Sequence, residues 1–339
     1  MRDIASAIDS LADRGERMAL ATVVAVRGSA YRRPGARLVV SEHGEPVGSL
    51  SPGCLEAELV EVAGSVMADG CPTLRAFDLT ADDEAELGWG LGCNGEIEVF
   101  LEPAILAVEL AEELRAVAEE RTTRAIVTLL EDADRLAVGA RLSLDARGQV
   151  RRRFRGSPEM QRAATDVARA ALIDDRSGIV ELPTSSGILR AFVEVARPPI
   201  RLLVCGGGTD VTPLAAAAEA LGWDVVRVAR DESIDERLLD DRTFAVVMNH
   251  AFAADRECLR ALLASEIPYI GALGPRGRTE RLLADLGEHD LSRVFAPAGL
   301  DLGADGPEEI AHSIVAEILA VDRRRTGGFL RERSAGIHS

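Results

Sequence analysis

Two periods of apolar residue alternate along the first hundred positions and lay out the elements. A helix opens the chain and leads into a buried strand over 19–26. Strands over 37–40 and 46–50 flank Glu42-His43-Gly44-Glu45, a hairpin by its spacing. Leu55, Leu59, Val62 and Val66 then recur at helical spacing, predicting a helix over 55–68 that Gly70 stops. Glu96 to Leu101 alternates as a strand. Residues 104–198 predict a helix over 107–120, a strand over 124–130, a hairpin across Asp145-Ala146-Arg147-Gly148 and a helix near 159–173. The Arg197-Pro198-Pro199 step closes this stretch, because proline removes backbone donors and breaks regular structure.

From Ile200 the pattern changes to strand and helix in alternation. Strands are predicted at 201–205, 224–229, 244–248, 268–270 and near Val294, with helices at 211–221, 256–264 and 279–286 between them. Such spacing implies right-handed βαβ crossovers and a parallel sheet, a Rossmann-like domain. Its last helix opens with Pro307 and Glu308-Glu309 and carries Ile310, Ile314, Ile318 and Val321 as an apolar stripe. Glu317, at the border of that stripe, reads as an ordinary edge carboxylate. The expected fold is therefore α/β: an N-terminal α+β cysteine-containing domain (1–103), an α+β middle segment and linker (104–198), a C-terminal Rossmann-like domain (199–325) and a polar tail (326–339). No convincing internal repeat or low-complexity segment emerges from the sequence.

Composition narrows the function. With 339 residues and 47% apolar positions, about two domains can each bury a real core. The net charge of −17 argues against nucleic acid or an anionic membrane as main partner, so any anion site is local. The N terminus lacks the apolar core of a signal peptide and no apolar run is long enough to span a bilayer, which points to the cytoplasm. Five cysteines, at 54, 71, 93, 205 and 258, form neither a disulfide framework nor a Cys-x-x-Cys pattern, so reduced thiols are expected.

Two of those cysteines sit in glycine-rich turns. Cys54 ends Gly48-Ser49-Leu50-Ser51-Pro52-Gly53 and falls at a predicted helix start, where Ser51, Gly53 and the free backbone N–H groups favour a thiolate. Such a group can serve as nucleophile, sulfur carrier or soft-metal ligand. Cys93 lies in Gly90-Leu91-Gly92-Cys93-Asn94-Gly95; the alternative for both thiols is that of small buried hydrophobes. The loop Arg27-Gly28-Ser29-Ala30-Tyr31-Arg32-Arg33-Pro34-Gly35-Ala36-Arg37 gathers four arginines in an acidic protein, a candidate phosphate site. Cys205-Gly206-Gly207-Gly208-Thr209-Asp210-Val211 stands between a strand and a helix, as a dinucleotide loop does. Its third glycine position is Val211, and Ala229-Arg230 stands where an acidic ribose ligand belongs, with Asp231 too late, so NAD(P) is weakly supported. His250, after the third strand of this domain, and Arg276, in Gly274-Pro275-Arg276, fall at the same sheet edge and are candidates for acid–base and anion contacts.

Taken together, these segments resemble the xanthine dehydrogenase accessory factor family of the XdhC/CoxI type. The resemblance rests on Gly28-Ser29 with Arg32-Arg33-Pro34-Gly35, on Gly48 through Glu56, on Gly90 through Gly95, and on Gly299-Leu300-Asp301-Leu302-Gly303-Ala304 with Pro307 to Ala311. Tyr269-Ile270-Gly271 with Leu273-Gly274 agrees as well, while the middle segment carries no matching motif. It implies a chaperone that binds a molybdopterin-type cofactor, protects it while a cysteine desulfurase adds sulfur, and delivers it to an apo-hydroxylase without turnover of its own. It implies a homodimer, metal or sulfur contacts from Cys54 and Cys93, and phosphate contacts from Arg32, Arg33 and Arg37, with Gly28, Ser29, Ser51, Gly53, Gly92 and Asn94 in the same loops. Pro52 departs from the glycine usual there, Thr209 from histidine or proline, and Ala229 from an acidic residue. An NAD(P)-dependent oxidoreductase using Gly206, Gly208 and His250 is the alternative.

Overall fold

The computed structural model describes residues 2–28, 32–43, 46–50, 55–78, 95–131, 137–185, 187–287 and 290–334. The chain divides into two units at the Pro198-Pro199 step.

In the first unit, α1 (Arg2–Asp13) leads into β1 (Met18–Gly28), β2 (Arg37–Ser41), β3 (Val47–Gly48), α2 (Glu56–Asp69), β4 (Thr73–Asp78) and β5 (Gly95–Pro103). The strands form an antiparallel sheet of order β3-β2-β1-β5-β4. Leu55, Leu59, Ala63 and Val66 fall on one face of α2 because they are three or four residues apart, and that face covers Ala19, Ala21, Val23, Leu38 and Val40. Each fully buried leucine there contributes about 1.5–3 kcal/mol. Gly70 ends the helix in the left-handed conformation, donating its N–H to the carbonyl of Val66 at 2.9 Å.

The chain then repeats itself. α3 (Ala104–Glu120), β6 (Arg124–Leu129), β7 (Arg141–Asp145), β8 (Val150–Arg152), α4 (Pro158–Asp174), β9 (Gly178–Thr184) and β10 (Gly187–Ala196) follow in the same order of helix and strand. They form a second antiparallel sheet, β8-β7-β6-β10-β9, which is the first order over again. The register agrees residue by residue: Thr22 pairs with both Arg37 and Phe100, and Thr128 with both Arg141 and Phe192. Gly35-Ala36-Arg37-Leu38 thus overlays Gly139-Ala140-Arg141-Leu142. Gly35 (φ 93°) and Gly139 (φ 85°) both take a left-handed turn that a side chain would strain. Their N–H groups donate to the carbonyls of Val23 and Leu129, each at 2.8 Å. The sequence reading that found no repeat is overturned by the matching strand order and register; in sequence the copies share little beyond this tetrad, Thr22 with Thr128, and Phe-x-Glu at 100–102 and 192–194.

The two sheets face each other inside this unit. Val24 and Phe100 of the first pack on their counterparts Leu130 and Phe192, while α1 and α3 pack together through Ile4, Ile8, Leu11, Leu110 and Leu114. Polar contacts are exchanged reciprocally. Arg37 of the first copy binds Glu194 of the second through both terminal nitrogens, and Arg141 of the second binds Glu102 of the first. Glu98 pairs with its own counterpart position, Arg190, at 2.6 Å. Reciprocal pairing of this kind is the signature of a twofold arrangement.

The second unit runs β11 (Arg201–Cys205), α5 (Val211–Ala220), β12 (Asp224–Val228), β13 (Thr243–Val247), α6 (Phe252–Leu263), β14 (Tyr269–Ala272), α7 (Arg276–Ala284), β15 (Val294–Phe295) and α8 (Pro307–Asp322). All five strands are parallel, in the order β12-β11-β13-β14-β15, so the domain is Rossmann-like as expected. Its α8 packs on the sheet through Ala311, Ile314, Val315 and Ile318. Among the described residues no helix is long and apolar enough to cross a membrane.

Candidate functional site

The first sheet gathers the motif loops. β1 ends at Gly28, beside Gly95 at the start of β5, and the two are register partners. β4 ends at Asp78, opposite Glu96. β3 ends at Gly48, paired with Leu38 near the start of β2. Because neighbouring strands are antiparallel, the ends of β1, β3 and β4 and the starts of β2 and β5 all lie at one end of the sheet. The segments leaving that end are 29–36, 49–55 and 79–94, which carry Arg32 and Arg33, Cys54 and Cys93 in that order. Ser29, Ser51, Gly53, Cys54, Gly92, Cys93 and Asn94 themselves lie outside the described residues.

Within that end, Arg32 is exposed and donates from Nε to the carbonyl of Ser49 at 3.0 Å, tying the basic loop to the segment that enters the Cys54 turn. This leaves its two terminal amino groups for an oxyanion. Arg33 is exposed too, and its carbonyl accepts from Ala36 at 3.1 Å. Arg27 pairs with Glu96 and Glu98, each at 3.2 Å. Arg37 differs from the other loop arginines: its side chain is only 5% exposed and is engaged with Glu194 and, at 3.2 Å, with the Gly35 carbonyl. Its guanidinium roots the loop from inside the core, so it is buried away from the surface where a phosphate would meet Arg32 and Arg33. Sequence reasoning missed Glu194; the one signal for it was the recurrence of Phe-x-Glu at 100–102 and 192–194.

In the second unit the sheet order reverses direction between β11 and β13, the switch point at which α/β sheets open a crevice. The Gly206–Gly208 loop and Asn249-His250 meet there. A Cβ on Gly206 would lie 2.5 Å from the Met248 carbonyl oxygen, and one on Gly208 3.4 Å from the His250 ring. His250 takes a left-handed φ of 56° and its Nε2 stands 3.3 Å from Asp210. Arg230 donates to the Asn249 carbonyl at 2.7 Å, and the Asn249 N–H donates to Asp255 at 2.9 Å. Asp255, 1% exposed and paired with Arg278, is the buried post of this loop, and sequence reasoning passed over it. Arg276 begins α7 and is exposed. Gly206→Ala should destabilise this unit by about 1–3 kcal/mol, since a backbone carbonyl must yield, while Gly207→Ala, with open space around it, should cost under about 1 kcal/mol in parallel urea titrations.

Glu317 corrects its sequence reading. It is buried, and its Oε2 accepts from the Tyr269 hydroxyl at 2.6 Å and from the Gly299 N–H at 2.9 Å. Burial, and then the Glu317 carboxylate, push the Tyr269 hydroxyl well above the usual tyrosine pKa, so it stays a donor. The Gly299–Ala304 motif is thereby pinned to α8. Of the described cysteines, Cys71 is exposed, and Cys205 and Cys258 are free. A hydrogen bond with Cys205, and then burial, raise the Cys258 thiol far above its ordinary range, so it carries no thiolate. Among the described residues no cluster of His, Cys, Asp and Glu could hold a metal.

The XdhC and CoxI family model matches residues 11–78, and the XdhC Rossmann domain model matches 202–318. The chain is 30% identical to a probable xanthine dehydrogenase subunit of Bacillus subtilis (strain 168), over 94% of this chain and 97% of that protein. It is 26% identical to the molybdenum cofactor insertion chaperone PaoD of Escherichia coli (strain K12), over 91% and 84% respectively. A crystal structure described as a xanthine dehydrogenase from Bacillus halodurans superposes with a TM-score of 0.76 at 28% identity, covering 99% of both chains. With one relative matched at that identity along almost its whole length, and both family models falling in the expected order, the chain belongs to the XdhC and CoxI family.

Proposed function

We propose that this chain carries a molybdopterin-type molybdenum cofactor, shelters it while sulfur is added, and delivers it to a xanthine dehydrogenase-type hydroxylase. The observation that supports the reading is that the strand ends bounding three motif segments lie at one end of the first sheet. The kinship with a molybdenum cofactor insertion chaperone and with a protein described as part of a xanthine dehydrogenase supports it. In this reading Arg32 and Arg33 hold the phosphate, with Gly28 and Ser29 letting the loop approach it, and Arg37 seats the loop. Cys54 and Cys93 offer soft sulfur to the metal or to its terminal sulfur, flanked by Ser51, Gly53, Gly92 and Asn94. The donor set suits the cargo, since a phosphate asks for guanidinium donors and a sulfur-rich complex for thiolates. A cysteine desulfurase as sulfur donor, a homodimeric state and a cytoplasmic setting belong to the same reading.

Cys54→Ser should weaken cofactor retention by about 10–100-fold, the range seen when a ligating or supporting group is lost. The measurement is anaerobic ultrafiltration of the variant with freshly released molybdopterin cofactor; retention equal to wild type would remove Cys54 from the site.

A second reading, NAD(P) chemistry at the switch point, is favoured by the approach of the Gly206–Gly208 loop to His250. Against it, β12 ends in Val228 and is followed by Ala229 and Arg230, without the ribose-binding carboxylate. Thermal-shift titration with NAD(H) and NADP(H) separates the two: silence toward all four excludes the nicotinamide reading.

A further inference from the structure

The internal repeat is symmetric in its framework and asymmetric in its loops. Where the first copy has 49–55 before its helix and 79–94 between its last strands, the second has 153–157 and only 185–186. The second copy therefore lacks the cysteine-bearing loops, although its sheet has the same order. Its two buried ion pairs nevertheless make an exchange with the first copy, and the two pairs do different things. Arg141 binds Glu102 and the Leu106 carbonyl at 2.8 Å, all framework. Arg37 binds Glu194 and the carbonyl of Gly35, and Gly35 closes the loop that carries Arg32 and Arg33. A Cβ on Gly35 would itself stand 3.4 Å from Glu194 Oε1, so this carboxylate abuts the loop's base. The Gly35 and Ala36 amides are bonded to Val23 and Arg33, which makes the loop's closing turn a direct continuation of the ion pair.

We propose that Glu194 is a positioning residue for the phosphate-binding loop, acting through Arg37, and that residues 104–196 serve as the scaffold for a single cofactor site carried by residues 2–103. This rests on the function proposed above. The symmetry supplies its own control, because the Arg141–Glu102 pair, 1% exposed on each side against 5% and 10% for Arg37 and Glu194, is buried more deeply still and supports no motif loop. Removing both charges of a buried pair avoids stranding either one, so the paired variants Arg37→Met/Glu194→Leu and Arg141→Met/Glu102→Leu are expected to fold. Retention of freshly released molybdopterin cofactor, measured anaerobically, should fall about tenfold or more in the first double variant, in the manner of lost outer-shell support, and stay near wild type in the second. Equal retention in the two, lowered or not, would overturn the assignment. Hydrogen exchange gives a readout independent of the cofactor: the amides of Gly35 and Ala36 should exchange faster in the first variant only, and those of Gly139 and Ala140 in the second only. Unchanged protection of Gly35 and Ala36 would overturn the positioning role by itself. If wild type fails to hold cofactor while the exchange pattern appears as described, the functional reading fails and the seating of the loop by Glu194 stands.

Discussion

Arg141→Met is expected to destabilise the first unit by about 3–5 kcal/mol, because it strands the Glu102 carboxylate in the space between the two sheets. Both side chains are 1% exposed, so no water relieves the remaining charge. The loss also removes the donor to the Leu106 carbonyl at the start of α3. Adding Glu102→Leu should restore most of the stability. The native arrangement is itself imperfect: Thr22 Oγ1, Arg37 Nε, Glu102 Oε1 and Arg141 Nε have no hydrogen-bond partner among the described residues, and their residues line a cavity of about 10 Å³. An apolar pair gives up little that such a site had gained. Urea denaturation followed by circular dichroism should show the single variant with a far lower midpoint and the double variant close to wild type. A single variant as stable as wild type would mean that the charges are not buried as described.

Glu317→Leu is expected to cost the second unit about 3 kcal/mol, since it leaves the buried Tyr269 hydroxyl and the half-buried Gly299 N–H without an acceptor. Tyr269 is fully buried, stacked on Phe295 with ring centroids 4.6 Å apart, and has no route to solvent. Glu317→Gln keeps a carbonyl oxygen that can accept both hydrogen bonds and should cost about 1 kcal/mol. Tyr269→Phe should rescue part of the leucine variant's loss, because it removes one of the two stranded donors. The check is the set of urea midpoints for the three single variants and the Tyr269→Phe/Glu317→Leu double variant. A leucine variant no worse than the glutamine variant would contradict the anchoring role.

The second unit was legible because parallel strands buried on both faces read as short apolar runs, and the helices between them carry their own period. Only boundaries shifted: α6 begins at Phe252 rather than Arg256, and α7 at Arg276 rather than Thr279. Edge strands were harder. β4 buries only Phe77 and β9 only Leu182, so neither alternates, and β9 accommodates Pro183 because it lies at the sheet's edge. The repeat stayed hidden because the shared framework is held by alternation, which any half-buried strand satisfies, and by short matches such as Gly-Ala-Arg-Leu at 35–38 and 139–142 and Phe-x-Glu at 100–102 and 192–194. At the candidate site, glycine spacing singled out the loops as candidates, whereas their described partners, Glu194, Asp255 and Glu317, look like surface carboxylates in sequence. Only the fold brings Arg37, Asn249 and Tyr269 against them.

The central claim is that the loops at one end of the first sheet hold a molybdenum cofactor. Molybdenum and pterin analysis of the full chain, expressed in a cofactor-producing host and purified without oxygen, tests it most directly. Pterin and molybdenum stoichiometric with the chain, and lost together in Cys54→Ser/Cys93→Ser, is the predicted result. Wild-type protein free of both, and unable to take up freshly released cofactor, would contradict it.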